Sequence, residues 1–369
     1  MNVIVQEAQL QSLQKKARNY SYACSLNIIF IIAFIIHQLQ YNLITFNPQL
    51  QFNTFEYQLL SDNSFKESEW CFTFAFNQDS TILAAGCKSY IKIYNFANGK
   101  TQLNQTLNNI SFVRTIYFMK KSQSFISGEE DSTISIWHQN SNKQWFLFQK
   151  LIEHSKTIKH VIMNRNEDLI ISCSNDKTIK FWIKQNEWIC SQTISNHTSS
   201  VLSLSINESQ DKLISCSEDK SILVMEFSKI TNKWVVIQRI FLKEHGRRLS
   251  FIGDDQFTFQ PKNQDLLQLY EWNATSRIFN LKMLIPVNST NDLNYYFPQQ
   301  FITQKQLLIN KNGNYINLLR KKSDQTFIQE NLIKFNTNQI FGIMNDSGDY
   351  LVTWDQDQKQ IQFRKFSEL

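Results

Sequence analysis

Serine, histidine and aspartate side chains recur together in this sequence at repeating distances along the chain. The two complete sets are, in chain order, His154, Ser172, Asp176 and His197, Ser215, Asp219. These residue types form the catalytic triad of many hydrolases, in which a base activates one exposed nucleophile in a cleft. Here the trio repeats with identical spacing, and an enzyme has no use for several equivalent nucleophiles. We therefore expect these residues to have a structural role rather than a catalytic one.

Sequence signatures of cofactor and metal sites are absent. The chain has no GxGxxG, GxxxxGK[ST] or HExxH motif. Its histidines and cysteines lack the spacing of zinc ligands, so we expect neither a cofactor nor a metal. The net charge of +6 is mild, and Lys and Arg alternate with Asp and Glu, which argues against nucleic acid as a partner.

The composition indicates a folded chain with unusual turns. It is 42% hydrophobic and 13% aromatic, which is enough for a large core. There are only 8 Gly, whereas 36 Asn and 35 Gln are scattered among apolar residues, so we expect Asn and Asp to form the turns. With no CxxC pair among them, six cysteines are predicted to be reduced, buried thiols: Cys24, Cys71, Cys87, Cys173, Cys190 and Cys216.

Two motifs repeat with the same period. Segments 124–137, 169–182 and 212–225 align without gaps, each with a Ser, an Asp four residues later and a large side chain after that. In chain order these residues are Ser127, Asp131, Trp137, then Ser172, Asp176, Trp182, then Ser215, Asp219, Met225. The histidine precedes the last two copies, and Asn109 replaces it in the first. A second motif begins at Trp145, Trp188 and Trp234, each followed by Gln four residues on. Alternating apolar residues predict four strands per period.

These residues resemble the WD-repeat (WD40) β-propeller family. In that family a His, a Ser or Thr, an Asp and a Trp form a hydrogen-bonded tetrad in each blade. The resemblance implies a complete tetrad from His154, Ser172, Asp176 and Trp182. It implies partial tetrads from His197, Ser215 and Asp219, and from Ser127, Asp131 and Trp137. The implied fold is an all-β, seven-bladed propeller of four-stranded antiparallel blades. The apolar run near the start of the sequence adds the expectation of an N-terminal hydrophobic helical extension.

Weaker copies of the repeat extend in both directions and give the blade count. Tyr94, Tyr270 and Phe363 fall at the Trp position, with Thr353 and Asp357 at the Ser and Asp positions of the last copy. Six intervals of about 45 residues separate the first and last copies, which predicts seven blades in residues 54–369. The last copy ends after three strands, so we expect residues 54–61 to supply its closing strand.

Residues 1–53 form a separate extension with a hydrophobic segment, 22–39. No charged residue occurs from Asn19 to Phe55, and Lys15, Lys16 and Arg18 stand before this run. The continuous apolar core, Ile28 to Ile36, is shorter than the roughly 18 residues of a membrane span. The alternatives are a membrane anchor, which would have a cytosolic N-terminus and a lumenal propeller, a helix packed on a partner, or an incorrect gene start. We expect a cytoplasmic protein, with membrane anchoring through 22–39 as the alternative.

The function that the resemblance implies is a non-catalytic protein–protein interaction scaffold, a monomer within a larger hetero-complex. Partner contacts in the family often use the residue five after the tetrad His and the residue before the tetrad Asp. With two arginines of the fifth repeat added, the candidates are Arg114, Lys159, Leu202, Glu130, Asn175, Glu218, Arg247 and Arg248. One alternative is a membrane-tethered scaffold. Another is a propeller-type hydrolase, which would need acidic residues on the innermost strands, where "CFTFAF", "TIYFM", "HVIMN" and "LSLSI" have none.

Overall fold

Within the described residues, the fold consists of antiparallel strands joined by turns and by two short 3-10 turns. A computed structural model describes residues 55–108, 111–292 and 297–368 of the chain. The described chain opens with β1 Phe55–Leu59, the 3-10 turn Ser61–Asn63 and β2 Phe65–Lys66. The predicted hydrophobic segment 22–39 and its helical extension lie outside the described residues.

Each of the first three blades is a four-stranded sheet whose strands follow one another along the chain. Blade one comprises β3 Cys71–Phe76, β4 Ile82–Cys87, β5 Tyr90–Ala97 and β6 Lys100–Asn108. Blade two comprises β7 Val113–Phe118, β8 Ser124–Glu129, β9 Ile134–Gln139 and β10 Trp145–Leu151. Blade three comprises β11 Ile158–Met163, β12 Leu169–Ser174, β13 Ile179–Lys184 and β14 Trp188–Ile194.

The next three blades repeat this order. Blade four comprises β15 Val201–Ile206, β16 Lys212–Ser217, β17 Ser221–Ser228 and β18 Lys233–Phe241. Blade five comprises β19 Gly246–Ile252, β20 Gln256–Pro261, β21 Leu266–Asn273 and β22 Ile278–Pro286. Blade six comprises β23 Gln300–Ile302, the 3-10 turn Thr303–Lys305, β24 Leu307–Asn312, β25 Tyr315–Lys321 and β26 Phe327–Lys334.

Blade seven joins the two ends of the described chain. Its strands β27 Ile340–Met344, β28 Tyr350–Asp355 and β29 Gln360–Glu368 come from the C-terminal part, and β1 is the fourth, outermost strand. β1 pairs antiparallel with β29, with Phe55 opposite Glu368, and β2 pairs with the start of β29. The prediction of seven four-stranded antiparallel blades is therefore confirmed.

The hydrophobic core lies between neighbouring blades. One cluster, for example, brings Ile91 and Ile93 of blade one against Phe118 and Trp145 of blade two. The first strand of each blade is the innermost, because these strands contact one another around the ring. Their first residues therefore lie at one rim of the central channel.

Asparagine forms the turn between the first two strands in four blades. In each, the side-chain oxygen accepts a hydrogen bond from the backbone N–H five residues later, and of these four turns only the one after Asn345 contains a glycine, Gly348, which has a positive φ. The four pairs are Asn77–Ile82 (2.8 Å), Asn164–Leu169 (3.0 Å), Asn207–Lys212 (2.8 Å) and Asn345–Tyr350 (2.9 Å). The asparagine surplus of the sequence is partly explained by these turns.

Glutamine side chains connect the outermost strands of successive blades. In each connection the amide nitrogen donates to a backbone carbonyl of the next outer strand, and the amide oxygen accepts from the N–H of the same residue. The pairs that form this glutamine clamp are Gln105–Trp145 (2.9 and 2.8 Å), Gln149–Trp188 (2.9 and 3.0 Å), Gln192–Trp234 (2.6 and 3.0 Å) and Gln238–Phe279 (2.8 and 2.8 Å). The repeating Trp and Gln of the second sequence motif are thus the two halves of one contact between blades.

The cysteines only partly follow the expectation of reduced thiols. Cys71 and Cys87 lie directly opposite each other on β3 and β4 and form a disulfide, so the prediction is wrong for these two. Their opposition depends on strand register, which cysteine spacing alone does not reveal. Cys173 and Cys216 are free and buried as expected, and Cys190 is free and half-buried. Cys24 lies outside the described residues.

Candidate functional site

The complete tetrad of blade three is a buried chain of hydrogen bonds. His154 contacts Asp176 through Nδ1 (2.7 Å) and Ser172 through Nε2 (2.8 Å). The indole Nε1 of Trp182 donates to the Ser172 hydroxyl oxygen (2.9 Å). Ser172 is fully buried and held by both partners, so its hydroxyl cannot reach a substrate. This geometry holds strands together and offers no exposed nucleophile.

The same arrangement recurs in blade four without the indole. His197 contacts Asp219 (2.8 Å) and Ser215 (2.9 Å), and the buried Met225 stands where the tryptophan would donate. Although burial raises the pKa of Asp219, hydrogen bonds from His197 and Ser221 outweigh it and hold this pKa well below its ordinary value. The pKa of Asp176 is lowered in the same way against burial, by His154 and Thr178.

In blade two the serine of the repeat binds a glutamate, a contact that the repeat pattern does not predict. Trp137 donates to the Ser127 hydroxyl oxygen (2.9 Å), and Ser127 donates to Glu129 (2.6 Å), which is buried. Asp131 is exposed and does not join this chain. Asn109, the residue at the histidine position, lies outside the described residues. The placement of Asp131 in a tetrad is therefore wrong, because Glu129, two residues after Ser127 on the same strand, accepts the hydrogen bond of this serine.

Blade seven shifts the period by one residue. Arg364, not Phe363, occupies the position of the tetrad tryptophan, since its guanidinium donates to the Thr353 hydroxyl oxygen (2.9 Å). Phe363 instead belongs to the hydrophobic core. Asp357 is exposed and accepts a hydrogen bond from Asn336 (3.0 Å).

Four of the predicted contact residues occupy one repeated structural position. Arg114, Lys159, Leu202 and Arg247 are each the extra residue of a β-bulge at the start of the inner strand, in blades two to five. A bulge leaves one residue without a partner in the ladder and redirects its side chain. The bulges thus present a row of side chains at the rim of the channel.

Charged side chains at this rim form ion pairs both within a blade and between neighbouring blades. Arg114 binds Glu130 (3.0 Å) within blade two, and Arg247 of blade five binds Glu218 (3.1 Å) of blade four. Burial lowers the pKa of Lys159, and the nearby guanidinium groups of Arg247 and Arg114 lower it further. We call these five residues the charged rim.

Two predicted contact residues are not on the surface. Leu202 is only 1% exposed, because its side chain packs into the cluster between blades four and five. Arg248 is 2% exposed and binds Asp292 (2.5 Å), which also binds the buried Lys311. Both are wrong as partner contacts, since the packing that buries them cannot be read from their spacing. Asn175 is half-buried beside the rim.

Aromatic residues beside the charged rim were missed by sequence reasoning. Phe72 is the bulge residue of blade one, and the exposed Phe112 lies beside it, with ring centroids 6.0 Å apart. The Arg114 guanidinium lies 4.4 Å from the Phe72 ring centroid and 5.9 Å from that of Phe112. The 43 residues between Tyr94 and Trp137 map Arg114 onto Cys71, so the repeat phase misses the bulge residue Phe72 by one position.

The central channel contains a cavity of about 550 Å³ with an uncharged lining along most of its length. Thr73, Thr115 and Ser250 face it, together with His160. Burial lowers the pKa of His160 to about 4, and its Nδ1 accepts a hydrogen bond from the Leu204 N–H (3.2 Å). None of the seven inner strands in the described ranges carries an acidic residue, so the carboxylates that a propeller hydrolase would need there are missing.

Two further features are absent from the part of the chain that the structure describes. No group of His, Cys, Asp or Glu there has the arrangement of a metal site. Within the same residues, no helix has the length and hydrophobicity to span a membrane.

Comparison with known proteins identifies the repeats and the fold. The family model "WD domain, G-beta repeat" (WD40) matches residues 145–182 and 188–224. No curated protein matches the sequence significantly. Among solved structures, a chain of the crystal structure of the mitotic checkpoint complex is similar, with a TM-score of 0.69 and 11% sequence identity. The match covers 86% of this chain and 94% of that one, and at this identity it is a likeness of fold alone.

Proposed function

The chain is a WD40-repeat β-propeller, and from this we propose that it is a non-catalytic protein–protein interaction scaffold, one subunit of a larger complex. The observation that carries the proposal is the charged rim. Arg114, Lys159 and Arg247 occupy equivalent bulges in different blades, so a partner lying across the rim would contact several blades at once.

The burial of the two tetrad serines favours binding over triad-type catalysis at these positions. The serines beside His154 and His197 are fully buried and already hydrogen-bonded. The similar solved chain belongs to a multiprotein complex, which is compatible with a subunit role.

Affinity purification with mass spectrometry tests the proposal. The full-length chain is compared with a double charge reversal at the rim, Arg114→Glu with Lys159→Glu. The matched control is Lys184→Glu with Lys233→Glu, which reverses two exposed lysines on strands β13 and β18. We expect wild type and the control variant to recover the same partner proteins. The rim variant should lose these partners although its circular dichroism spectrum is the same as that of wild type. Equal recovery by all three would contradict the proposal.

A membrane-tethered scaffold is the second candidate. It is favoured by the uncharged run from Asn19 to Phe55 and its apolar core. Carbonate extraction of the tagged full-length chain separates it from a cytoplasmic scaffold. Release into the soluble fraction would end the tethered alternative.

A further inference from the structure

Lys159 is the middle one of three cationic side chains at the charged rim. The other two are neutralised, Arg114 by Glu130 and Arg247 by Glu218. Within the described residues, no carboxylate oxygen lies within 4.0 Å of the Lys159 ammonium. Of these three cations, Lys159 therefore has no carboxylate partner among the residues that the structure describes.

The surroundings of Lys159 favour an incoming anion. Its side chain is partly buried, which lowers its pKa. The guanidinium groups of Arg247 and Arg114 lower this pKa further, whereas the carboxylates of Glu218 and Glu130 raise it. A partly desolvated, unpaired cation gains from a direct partner more than an exposed one does. A carboxylate placed on Lys159 would supply that partner.

The two glutamates restrict which anion fits. Glu130 and Glu218 belong to the pairs on either side of Lys159, and they repel a ligand that carries many adjacent negative charges. A single carboxylate flanked by uncharged residues avoids this repulsion. A polyanion, such as a nucleic acid backbone, does not.

An apolar contact lies next to the ion pairs. Phe112 is 39% exposed, and its ring packs on Phe72 under the Arg114 guanidinium. An exposed aromatic ring beside a charged group is a typical anchor position in protein interfaces. It would pack on an apolar side chain of the bound segment.

We propose that the charged rim binds a protein segment in which an Asp or Glu side chain pairs with Lys159 and a neighbouring apolar side chain packs on Phe112. This inference rests on the proposed function, because it names the chemistry of the partner at the same rim. The segment carries one acidic residue rather than an acidic run.

Selection from a random dodecapeptide phage library on the immobilised full-length chain tests this. We expect selected peptides to share one acidic residue next to an apolar one. Fluorescence polarisation with synthetic copies then measures their affinity for wild type and for Lys159→Met. Loss of a charge-assisted hydrogen bond should weaken binding about tenfold or more. The control Lys156→Met removes an exposed lysine three residues away and should leave affinity unchanged.

A double-mutant cycle makes the test specific. Changing the acidic residue of the peptide to its amide should weaken binding to wild type, and should weaken it no further in Lys159→Met. Peptides that depend on Arg114 and Arg247 but not on Lys159 would overturn the inference and leave the proposed function standing. Tighter binding of a phosphoserine peptide than of the acidic one would assign the site to phosphate instead. Both proposals would be overturned if the affinity of the selected peptides did not depend on any of the three cations, or if the library yielded no binding peptide.

Discussion

Replacing Gln105 by glutamate tests the glutamine clamp with a nearly isosteric change. The amide of Gln105 donates to the Trp145 carbonyl (2.9 Å) and accepts from the Trp145 N–H (2.8 Å). A glutamate side chain keeps the shape and the acceptor. When it is ionised it has no donor, so its second oxygen faces the carbonyl oxygen of Trp145.

The expected loss follows from the two hydrogen bonds. Leaving a half-buried carbonyl without its donor costs about 1–3 kcal/mol, so Gln105→Glu should lower the free energy of unfolding by about this amount at pH 7. A protonated carboxyl group has a donor and an acceptor, as the amide has. Protonation is therefore favoured in the folded state, which raises the pKa of the new glutamate. Stability should therefore recover as the pH falls through the raised pKa towards the ordinary glutamate value of about 4.3, where the recovery is nearly complete.

Urea denaturation followed by tryptophan fluorescence at pH 7 and at pH 4 measures both effects. Gln102→Glu is the matched control, because Gln102 is an exposed residue of the same strand, β6. The difference between the two variants removes the general effect of an added negative charge. Equal unfolding midpoints at pH 7, or a Gln105→Glu deficit that persists unchanged at pH 4, would refute the proposed role of the clamp.

Three further predictions concern other contacts. The pKa of Asp176 in the folded state lies below its ordinary 3.8, so its contribution to stability is present above that pH and is lost as the pH falls. Asp176→Asn should therefore have a lower melting temperature at pH 7, and its melting temperature should fall less steeply than that of wild type as the pH is lowered. Burial, and after it the charge of Arg248, lowers the pKa of Lys311 from 10.5 to about 7 in the folded protein. Between pH 7 and pH 10.5 the unfolded chain therefore binds more protons than the folded one, so the free energy of unfolding should rise with pH over this range. Urea denaturation at several pH values should show this rise for wild type and not for Lys311→Met. Deletion of residues 1–50 keeps β1, whereas deletion of 1–62 removes it and exposes β29, so only the shorter deletion should yield soluble protein; equal melting temperatures would contradict this.

The sequence predicts the features that depend on periodicity. The spacing of His154, Ser172 and Asp176 reports a contact that recurs once per blade, so the repeat length yields the blade count without any knowledge of packing. The Trp and Gln of the second motif are periodic for the same reason, since each glutamine reaches the next outer strand.

Features that depend on one local irregularity cannot be predicted from the repeat pattern of the sequence. Glu129 binds Ser127 from a position that holds no histidine in any repeat, so alignment by residue type does not reveal it. One extra residue in the hairpin before β29 moves the tryptophan position from Phe363 to Arg364. Leu202 occupies the bulge in blade four that is equivalent to that of Lys159 in blade three, but it packs inward, because its environment, rather than its place in the repeat, decides its exposure.

The pairing of β1 with β29 also sets the order in which the protein can be completed. Phe55 meets Glu368, so the propeller cannot close on the ribosome until the residues up to Glu368 have been synthesised. Contacts between residues so far apart in sequence form slowly, since loop-closure entropy must be overcome first. Blades one to six, whose strands are consecutive, can form their hairpins earlier. Until closure, β1 and β29 each leave a strand edge unpaired, and this is the interval in which the nascent chain is most exposed to aggregation.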